Sequence, residues 1–382
     1  MIQTPAMNRR DALKTAGLLT AGFAVSRCSS RPEPSAPPKP KRKLAPVQVS
    51  KDRIIRTVVG LRPFRSSGFR VEKEKLGRKI VVHNYGHGGG GITLSWGTSL
   101  LAVEELFRDD PPQGRVAVLG AGAVGLATAR LLQRRGIEVT LYAKDLPPHT
   151  TSNVAAGQWS PYFVSDFSKR SARFKEQFAK AARLSHRQFQ DLLGDYYGVH
   201  FLMNYVLSEH PFGPEPGEGG SGNEDSLDDL FPESRAVPPG EHPFPVKHVR
   251  QFQTMLIEPP VYLEALLRDF LLAKGTLVIR ELRSAGDLQY LPEAAIVNCT
   301  GLGSSSLFDD TDLVPVKGQL TFVLPQPEVD YVALYGDLYM MPRKDGILLG
   351  GTHERGNWSL APDMEAFERI VAGHQKLFGA LS

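Results

Sequence analysis

The chain has 382 residues, of which 41% are hydrophobic and 23% charged, and its formal net charge is +4. Residues 1–50 hold nine Lys or Arg against two acids, which leaves 36 basic and 39 acidic residues in the rest. A slightly acidic remainder lacks the basic footprint of a nucleic-acid-binding domain, so we expect no nucleic-acid partner. The length allows two domains and a large core.

The first 28 residues have the pattern of an export signal. Arg9 and Arg10 precede an apolar run that is too short to span a bilayer, and the following DALK resembles a twin-arginine leader with Ala12 in place of the usual Phe. We therefore expect export to the periplasm or cell envelope and no membrane span. Cys28 is a candidate lipid-anchor residue, although Arg27 departs from the usual small residue before such a cysteine. The Pro- and Lys-rich residues 29–50 predict an extended, mobile linker.

The globular pattern begins near residue 51. A strand predicted over 79–82 runs into the glycine-rich stretch HNYGHGGGG, and the apolar spacing after it predicts a helix to residue 107. After a loop over 108–114, VAVLGAGAVGLATA and the residues up to 145 predict a strand, a tight turn, a helix and a second strand, which is the βαβ order of a dinucleotide fold.

The rest of the chain alternates helical and strand patterns. Residues 211–245 are too rich in Pro, Gly and acids for a core, and they predict a surface excursion. The other predictions are helices over 171–193, 260–274 and 363–378, strands over 276–280 and up to residue 300, and the strand segments GQLTFVL, DLYMMP and GILLGG.

The motif Gly120-x-Gly122-x-x-Gly125 predicts a dinucleotide site. Its glycines let the backbone turn tightly and approach a pyrophosphate at a helix N-terminus. The acid expected to bind the ribose at the end of the second strand is displaced, with Lys144 in the nearer place and Asp145 one step later.

Six further segments carry a resemblance to a known family. They are TTSNVAAGQWSPY (150–162), VNCTG (297–301), LYGDLYMMP, GILLGGTHERGNWS, GLRPFR and HNYGHGGGGITLSWG. Together they resemble the D-amino-acid oxidase family over most of residues 54–370. The resemblance implies an α/β fold, with a Rossmann-type FAD-binding domain built on a parallel sheet and a mixed-sheet substrate-binding domain.

The resemblance implies FAD as the cofactor and extends the glycine motif to a larger set of contacts. The residues expected to contact FAD are Arg62, Gly88, Gly89, Gly91, Ile92, Thr93, Gly120, Ala121, Gly122, Val124, Gly125, Lys144, Asp145, Thr150, Thr151, Ser152, Gly157, Gln158, Thr300 and Gly301.

Four residues are candidates for the substrate site. By the resemblance, Arg62 grips a carboxylate, Tyr339 is a second carboxylate contact, Tyr335 belongs to a movable lid, and the Gly89 carbonyl accepts from the substrate amine. Tyr335 and Tyr339 are four residues apart, which on one strand places both rings on the same face.

The remaining reactive side chains have structural interpretations. His83 and His87 lie in a turn with no carboxylate partner in the sequence, which favours structural histidines over metal ligands, so we expect no metal. Cys299 is interpreted as a packed thiol at a strand end.

The order of the segments differs from that of the family, in which GLRP and HNYGHGG lie at the C-terminal end. We therefore interpret the chain as circularly permuted, which requires ends that are close in space. The expected segments are an export signal at 1–28, a linker at 29–50, substrate-domain segments at 51–78, 166–245 and 311–382, and FAD-binding segments at 79–165 and 246–310.

The implied function is FAD-dependent oxidative deamination of a D-amino acid, with hydride transfer to flavin N5 and formation of an imino or keto acid, ammonia and hydrogen peroxide. The alternatives are a D-amino-acid or amine dehydrogenase with another electron acceptor, and a non-catalytic flavin-binding protein. The resemblance leaves a neutral and an acidic substrate open. GGTHERGNWSLAPD is similar to the D-aspartate oxidase branch, whereas Val332 stands where that branch would place an arginine, seven residues before Tyr339, which favours a neutral substrate. A homodimer is compatible with this interpretation.

Overall fold

The computed structural model describes residues 44–109, 111–213, 227–231 and 234–381. The predicted export signal, Cys28 and residues 29–43 of the predicted linker lie outside these ranges, as does most of the acidic part of the surface excursion. Among the described residues, no helix has the length and apolar character needed to cross a membrane.

Fifteen strands and six α-helices make up this part of the chain. The strands are β1 Ile54–Arg65, β2 Arg70–Leu76, β3 Lys79–Tyr85, β4 Val116–Leu119, β5 Val139–Ala143, β6 Val199–Ser208, β7 Arg235–Val237, β8 His248–Ile257, β9 Thr276–Ile279, β10 Ala295–Asn298, β11 Leu313–Val323, β12 Tyr331–Tyr335, β13 Leu338–Arg343, β14 Gly346–Gly350 and β15 Glu354–Arg355. The helices are α1 Ser95–Phe107, α2 Ala123–Arg134, α3 Ala172–Gln190, α4 Pro259–Leu272, α5 Gly303–Phe308 and α6 Met364–Gly379.

The smaller sheet has six strands in the order β2-β3-β10-β4-β5-β9. Its strands from β3 to β9 are parallel, and β2 pairs antiparallel with β3. The sequence of β4, VAVL, is buried on both faces, as parallel strands covered by helices require. Because the carboxyl ends of parallel strands share one edge, the loops after β3, β4, β5, β9 and β10 meet there.

The larger sheet has nine strands, with the order β1-β11-β14-β13-β12-β6-β8-β7 and β15 beside β11. Most of its pairs are antiparallel, whereas β6 and β12 are parallel, so the sheet is mixed. This agrees with the predicted fold class.

Helix boundaries follow local capping. The Ser171 side chain accepts from Phe174 N at the start of α3, and the Asp363 side chain accepts from Glu365 N and Ala366 N at the start of α6. A Pro pair opens α4, where the missing N–H groups cost no helical hydrogen bond. The predicted helices over 171–193, 260–274 and 363–378 therefore lie within a few residues of the observed ones.

Two main cores stabilise these layers. Helices α1 to α4 cover one face of the smaller sheet with a large cluster that includes Leu94, Leu126 and Phe270. On the larger sheet, α6 covers one face through Ile370 and Phe378. The other face carries an apolar layer around Leu320 and Met341 and is turned toward the smaller sheet's loop edge.

The structure corrects three of the predicted segment boundaries. β2, expected in the substrate domain, lies in the smaller sheet because Gly77 turns it directly into β3. β8, expected in the FAD-binding domain, pairs along its full length with β6 in the larger sheet. Both errors have the same physical cause, since the sheet that a strand joins depends on its partner rather than on its own sequence.

Helix α3 is the third correction. It was expected in a substrate-domain segment, yet Phe174, Phe178 and Ala181 join the core of the smaller sheet. A Cβ at Gly97 of α1 would lie 2.0 Å from Ala181 O, so the two helices approach closely only because position 97 is glycine.

The predicted linker is also shorter than expected. Leu44 and Val47 are buried in the α6 core beside Leu377 and Phe378, and Gln48 N donates to Gln326 Oε1 at 2.7 Å. Residues 44–50 are therefore part of the packed structure, because two apolar side chains within the Pro-rich stretch are buried in this core.

Candidate active site

One large cavity, with a volume of about 1770 Å³, lies between the loop edge of the smaller sheet and the apolar face of the larger sheet. It contains the loops after β3, β4, β5, β9 and β10, and it reaches Arg62 on β1 and Tyr339 on β13. Of the residues expected to contact FAD, all except Gly125 line it. The cavity therefore joins the predicted cofactor residues to the predicted carboxylate site.

The turn after β4 is shaped for close approach of a ligand. Gly120 has φ +96°, its N–H donates to Tyr142 O, and a Cβ there would lie 2.6 Å from Cys299 O. A Cβ at Gly125 would lie 1.8 Å from Gly120 O, so Gly125 permits helix packing rather than ligand contact. The N-terminus of α2, with its partial positive charge, faces the cavity.

Ser152 supports the same turn from the segment after β5. Its Oγ accepts from Ala123 N at 3.1 Å, and Thr150 donates to Asn153 Oδ1 at 2.7 Å, which orders the residues between them. Hydroxyl groups of Thr150, Thr151 and Ser152 thus stand beside the helix N-terminus, as anion binding requires.

The far end of the cavity was only partly predicted. Lys144 and Asp145 line it as expected, but residues 280–283 after β9 line it as well, and Lys144 Nζ lies 3.7 Å from Glu281 Oε1. Sequence reasoning missed these residues, although the parallel βαβ pattern indicates that the end of β9 lies at the same sheet edge.

Two loops are tied together near the middle of the cavity. In the turn after β3, Gly88 has φ +54°, and Gly89 N donates to Phe163 O at 2.9 Å. Thr93 Oγ1 accepts from Ser160 N at 3.1 Å. In the loop that follows β5, a Cβ at Gly157 would lie 2.1 Å from Ile257 O. This loop therefore needs glycine where it passes the end of β8.

The two predicted structural histidines have different positions: His83 lies on β3 beside a carboxylate, which corrects the prediction of a turn without one, and His87 lies at the start of the glycine-rich turn. His83 contacts Asn298 Nδ2 at 3.2 Å and Glu74 Oε1 at 3.3 Å, and burial lowers its pKa to about 4. His87 contacts Thr98 Oγ1 at 2.9 Å and stacks on Phe69, and burial lowers its pKa to about 3. Both side chains are therefore neutral at physiological pH and have partners within the fold.

Cys299 matches its predicted role. The thiol is buried at the end of β10, lies 3.6 Å from Thr128 Oγ1, and has a pKa that burial raises to about 12. A thiol that stays protonated is a poor nucleophile.

Arg62 and Tyr339 come together across four neighbouring strands. Arg62 Nη2 lies 3.5 Å from Tyr339 Oη, although β11 and β14 separate their strands. A Cβ at Gly318 would lie 2.4 Å from Arg62 Nη1, and one at Gly350 would lie 2.1 Å from the Tyr339 ring. These two glycines leave room for both side chains to lie along the sheet, and no sequence signal identified them.

Both side chains of the pair line the cavity, and one of their donors has no partner among the residues that the structure describes. Arg62 Nη1 is buried and has no hydrogen-bond partner among the residues that the structure describes. Burial raises the pKa of Tyr339, so its hydroxyl stays protonated and able to donate. Burying a guanidinium without a carboxylate partner costs free energy, and a bound carboxylate would supply the missing hydrogen-bond acceptor.

Tyr335 does not share this site, and the prediction that both tyrosine rings face the same way is wrong. Tyr335 ends β12 and Tyr339 lies on β13, with a two-residue turn between the strands. The register pairs Tyr335 with Leu338 and Leu334 with Tyr339, so the two rings lie on opposite faces. Tyr335 packs toward the α6 core and lies 3.4 Å from Glu209, outside the cavity.

The residues present fit FAD on structural grounds. One cavity offers a glycine turn at a helix N-terminus, hydroxyl groups beside it, two further glycine loops and an unsatisfied arginine. This donor set matches a dinucleotide cofactor at one end and a small carboxylate at the other.

Comparisons with known proteins agree with this geometry. The family model described as "DAO: FAD dependent oxidoreductase" matches residues 115–382. A D-amino-acid oxidase of Rubrobacter xylanophilus is 32% identical over 67% of this chain and 75% of its own. One from Streptomyces coelicolor is 30% identical over 70% and 78%, and the human D-aspartate oxidase is 29% identical over 68% and 74%.

Solved structures share the fold. A glycine oxidase from Geobacillus kaustophilus aligns with a TM-score of 0.51 at 17% identity, covering 70% of this chain and 80% of that chain. An iminodiacetate oxidase from Chelativorans gives the same TM-score and identity, covering 70% and 79%.

Proposed function

Because this chain belongs to the FAD-dependent oxidoreductase family, we propose that it catalyses oxidative deamination of a D-amino acid. The products would be an imino acid that hydrolyses to a keto acid and ammonia, and hydrogen peroxide from oxygen. The observation that carries this proposal is the Arg62–Tyr339 pair, which lines the same cavity as the predicted FAD residues and includes one arginine nitrogen without a hydrogen-bond partner among the described residues. The D-amino-acid and D-aspartate oxidases among its relatives support it.

The chain's own residues bind and orient the substrate. Arg62 donates to the substrate carboxylate, and the Tyr339 hydroxyl donates to the same group. The Gly89 N–H is engaged by Phe163 O, while its carbonyl is offered to the amine. Bound FAD supplies the hydride acceptor.

Catalysis by this arrangement is mainly positioning. The carboxylate and the amine are held at two points, which fixes the α-hydrogen relative to the cofactor without requiring a charged base. Burial lowers the pKa of His353, which lines the same cavity, so this imidazole is neutral at physiological pH and adds no second positive charge.

A neutral side chain suits the cavity best. Val332, at the place of the arginine expected for an acidic substrate, is buried in the apolar layer that includes Leu334 and Tyr339. An apolar surface beside Arg62 and Tyr339, which we expect to bind the substrate carboxylate, favours substrates without a second carboxylate.

A substrate panel tests the proposal. Purified protein with bound FAD is mixed with D-alanine, D-leucine, D-phenylalanine, D-aspartate, glycine and sarcosine, with L-enantiomers as controls. We expect loss of flavin absorbance at about 450 nm without oxygen, and peroxide formation with oxygen, for neutral D-amino acids. Reduction of a dye without oxygen uptake would favour the dehydrogenase, and unchanged flavin with every compound would favour a non-catalytic flavin protein.

We also propose that the chain is circularly permuted relative to its family. The family match begins at residue 115, the start of the β4 segment, while β1 and β3 before it pair with β11 and β10 inside the match. Lys51 Nζ lies 2.7 Å from Glu368 Oε1 of α6, and Leu44 and Val47 pack on Leu377 and Phe378. The start of the segment that precedes the family match therefore lies beside α6. A circular permutation requires this, because the chain ends that it joins and opens must be close in space.

For localisation, we propose that residues 1–28 direct export through a twin-arginine pathway, on the strength of Arg9, Arg10 and the apolar run after them. A reporter fused behind residues 1–50 should reach the periplasm. Export that survives replacement of both arginines by lysine would contradict the proposal.

A further inference from the structure

Phe163 combines three unusual features at the cavity. Its φ is +58°, a left-handed conformation that bulky residues rarely adopt because the Cβ crowds the backbone. Its side chain is 71% exposed although it lines the cavity. An exposed aromatic ring in a strained backbone conformation is not explained by core packing.

The backbone of Phe163 is held at the centre of the site. Its carbonyl accepts from Gly89 N at 2.9 Å, and a Cβ at Gly88 would lie 2.4 Å from the same oxygen. Its own Cβ stands 3.3 Å from where a Cβ of Gly89 would be. The strained conformation is thus fixed directly over the turn that offers the Gly89 carbonyl.

The ring of Phe163 points toward the carboxylate end. Its centroid lies 5.6 Å from that of His353, which follows Thr352. The Thr352 hydroxyl accepts from Gln319 N at 2.6 Å, and Gln319 follows Gly318, the glycine beneath the Arg62 guanidinium. Phe163 and His353 therefore form an aromatic wall of the cavity.

The opposite side of the site supplies less cover than the sequence predicted. β12 and β13 are joined by Gly336 and Asp337 alone, and the Tyr335 ring lies on the other face of the sheet. A tight two-residue turn has no length to fold over a ligand. Shielding of the bound substrate thus falls to the segment that carries Phe163.

We propose that Phe163 determines substrate specificity by packing its ring against the side chain of the bound amino acid, together with His353. The inference rests on the proposed function and names the preferred class as D-amino acids with apolar side chains larger than methyl. Contact with an apolar side chain would bury a ring that is otherwise exposed to water.

Three substitutions of Phe163 test the proposal. Phe163→Ala removes the ring and keeps the backbone strain, Phe163→Gly removes both, and Phe163→Leu keeps apolar bulk. We expect Ala and Gly to lower the ratio of kcat/KM for D-phenylalanine to that for D-alanine by about 10- to 100-fold, mainly through KM. Leu should retain most of the ratio, and the Gly variant should melt no lower than the Ala variant.

Phe167→Ala is the matched control. Phe167 is also highly exposed, but its ring packs under the Arg170 guanidinium and does not line the cavity. This variant should leave the substrate ratio unchanged, and all four variants should retain FAD as judged from flavin absorbance. An unaltered ratio in Phe163→Ala and Phe163→Gly, or a wild-type preference for D-aspartate, would overturn the proposal.

Ligand binding separates this inference from the function on which it rests. Benzoate and acetate, an aromatic and a small carboxylate, are titrated into wild type and Phe163→Ala while flavin absorbance is followed. A selective loss of benzoate affinity in the variant supports the wall even if no D-amino acid is oxidised. If D-amino acids are oxidised but the benzoate-to-acetate affinity ratio does not change, the wall is wrong and the function stands.

Discussion

At the scale of single residues, the proposed substrate orientation depends on Arg62. Its buried Nη1 has no partner among the described residues, and its other terminal nitrogen reaches Tyr339. The cost of this unsatisfied donor is offset only when a carboxylate binds. The arginine is thus prepared for a ligand rather than for a structural ion pair.

Removal of either partner tests this orientation. Truncating one member of a charged, buried contact costs about 2–5 kcal/mol, so Arg62→Ala should lower kcat/KM by roughly 1.5 to 3.5 orders of magnitude. Tyr339→Phe loses one hydroxyl donor and should cost about 0.5–3 kcal/mol. Steady-state kinetics with the best D-amino acid gives both values.

Flavin content is the control for these variants, because the glycine turn after β4 and the hydroxyls around Ser152 remain intact. Arg62→Lys keeps the charge but not the planar pair of donors, and it should recover only part of the activity. Near-native kcat/KM in flavin-loaded Arg62→Ala would mean that another residue holds the carboxylate.

At the scale of elements, the site depends on strands that are distant in the sequence. Arg62 on β1 and Tyr339 on β13 meet only because β11 and β14 lie between them and carry glycine at positions 318 and 350. The segment before residue 115 contributes β1, β2, β3 and α1, and so completes both sheets. It is a structural part of both layers and of the site.

Relocation of this segment tests the proposed permutation. A variant that begins at residue 115 and carries residues 44–109 behind residue 381, through a short Gly/Ser linker, should still bind FAD and unfold cooperatively. We expect this because Leu44 and Val47 belong to the same hydrophobic core as Leu377 and Phe378 near the end of α6. Flavin absorbance and circular dichroism during thermal unfolding measure the outcome.

The matched control joins the same pieces through a linker of two residues, which should strain the junction and lower the melting temperature. If the wild type binds FAD and the long-linker variant does not, the segment cannot be moved without loss of the fold. That result would contradict the proposed permutation.

At the scale of the whole molecule, buried neutral histidines link the free energy of unfolding to pH. The pKa is about 4 for His83 and about 3 for His87, against the ordinary value of 6.5. Below pH 6.5 the unfolded chain binds protons that the folded chain does not. Each histidine therefore contributes stability that is complete above pH 6.5 and is lost as the pH falls toward its folded pKa.

His87→Gln tests this linkage. Wild type should lose up to about 1.4 kcal/mol per pH unit for each such histidine between pH 6 and pH 4. Glutamine can still bond Thr98 but does not titrate, so the variant should show a shallower fall. Urea unfolding at pH 7.5, 6 and 5 in excess FAD measures the free energy of unfolding, and parallel curves for the two proteins would contradict the assignment.

The sequence by itself determined the features that depend on neighbouring residues. The βαβ unit around Gly120, the helices α3, α4 and α6, and the packed thiol of Cys299 followed from periodicity, capping and turn chemistry. Motif resemblance identified the family, and it selected Arg62 and Tyr339, which the structure brings together.

Only the tertiary structure decided the features that depend on how strands pair and which residues pack against each other. These are the sheet that β2 and β8 join, the face on which Tyr335 lies, and the glycines at 318 and 350 that leave room for the Arg62 and Tyr339 side chains. Arg62 and Tyr339 meet although they are 277 positions apart in the chain. Between β12 and β13, a two-residue turn reverses the chain, so four-residue spacing no longer places both tyrosines on one face. Sequence patterns within a single element do not identify these pairings, because the pairings depend on which surfaces are buried together in the fold.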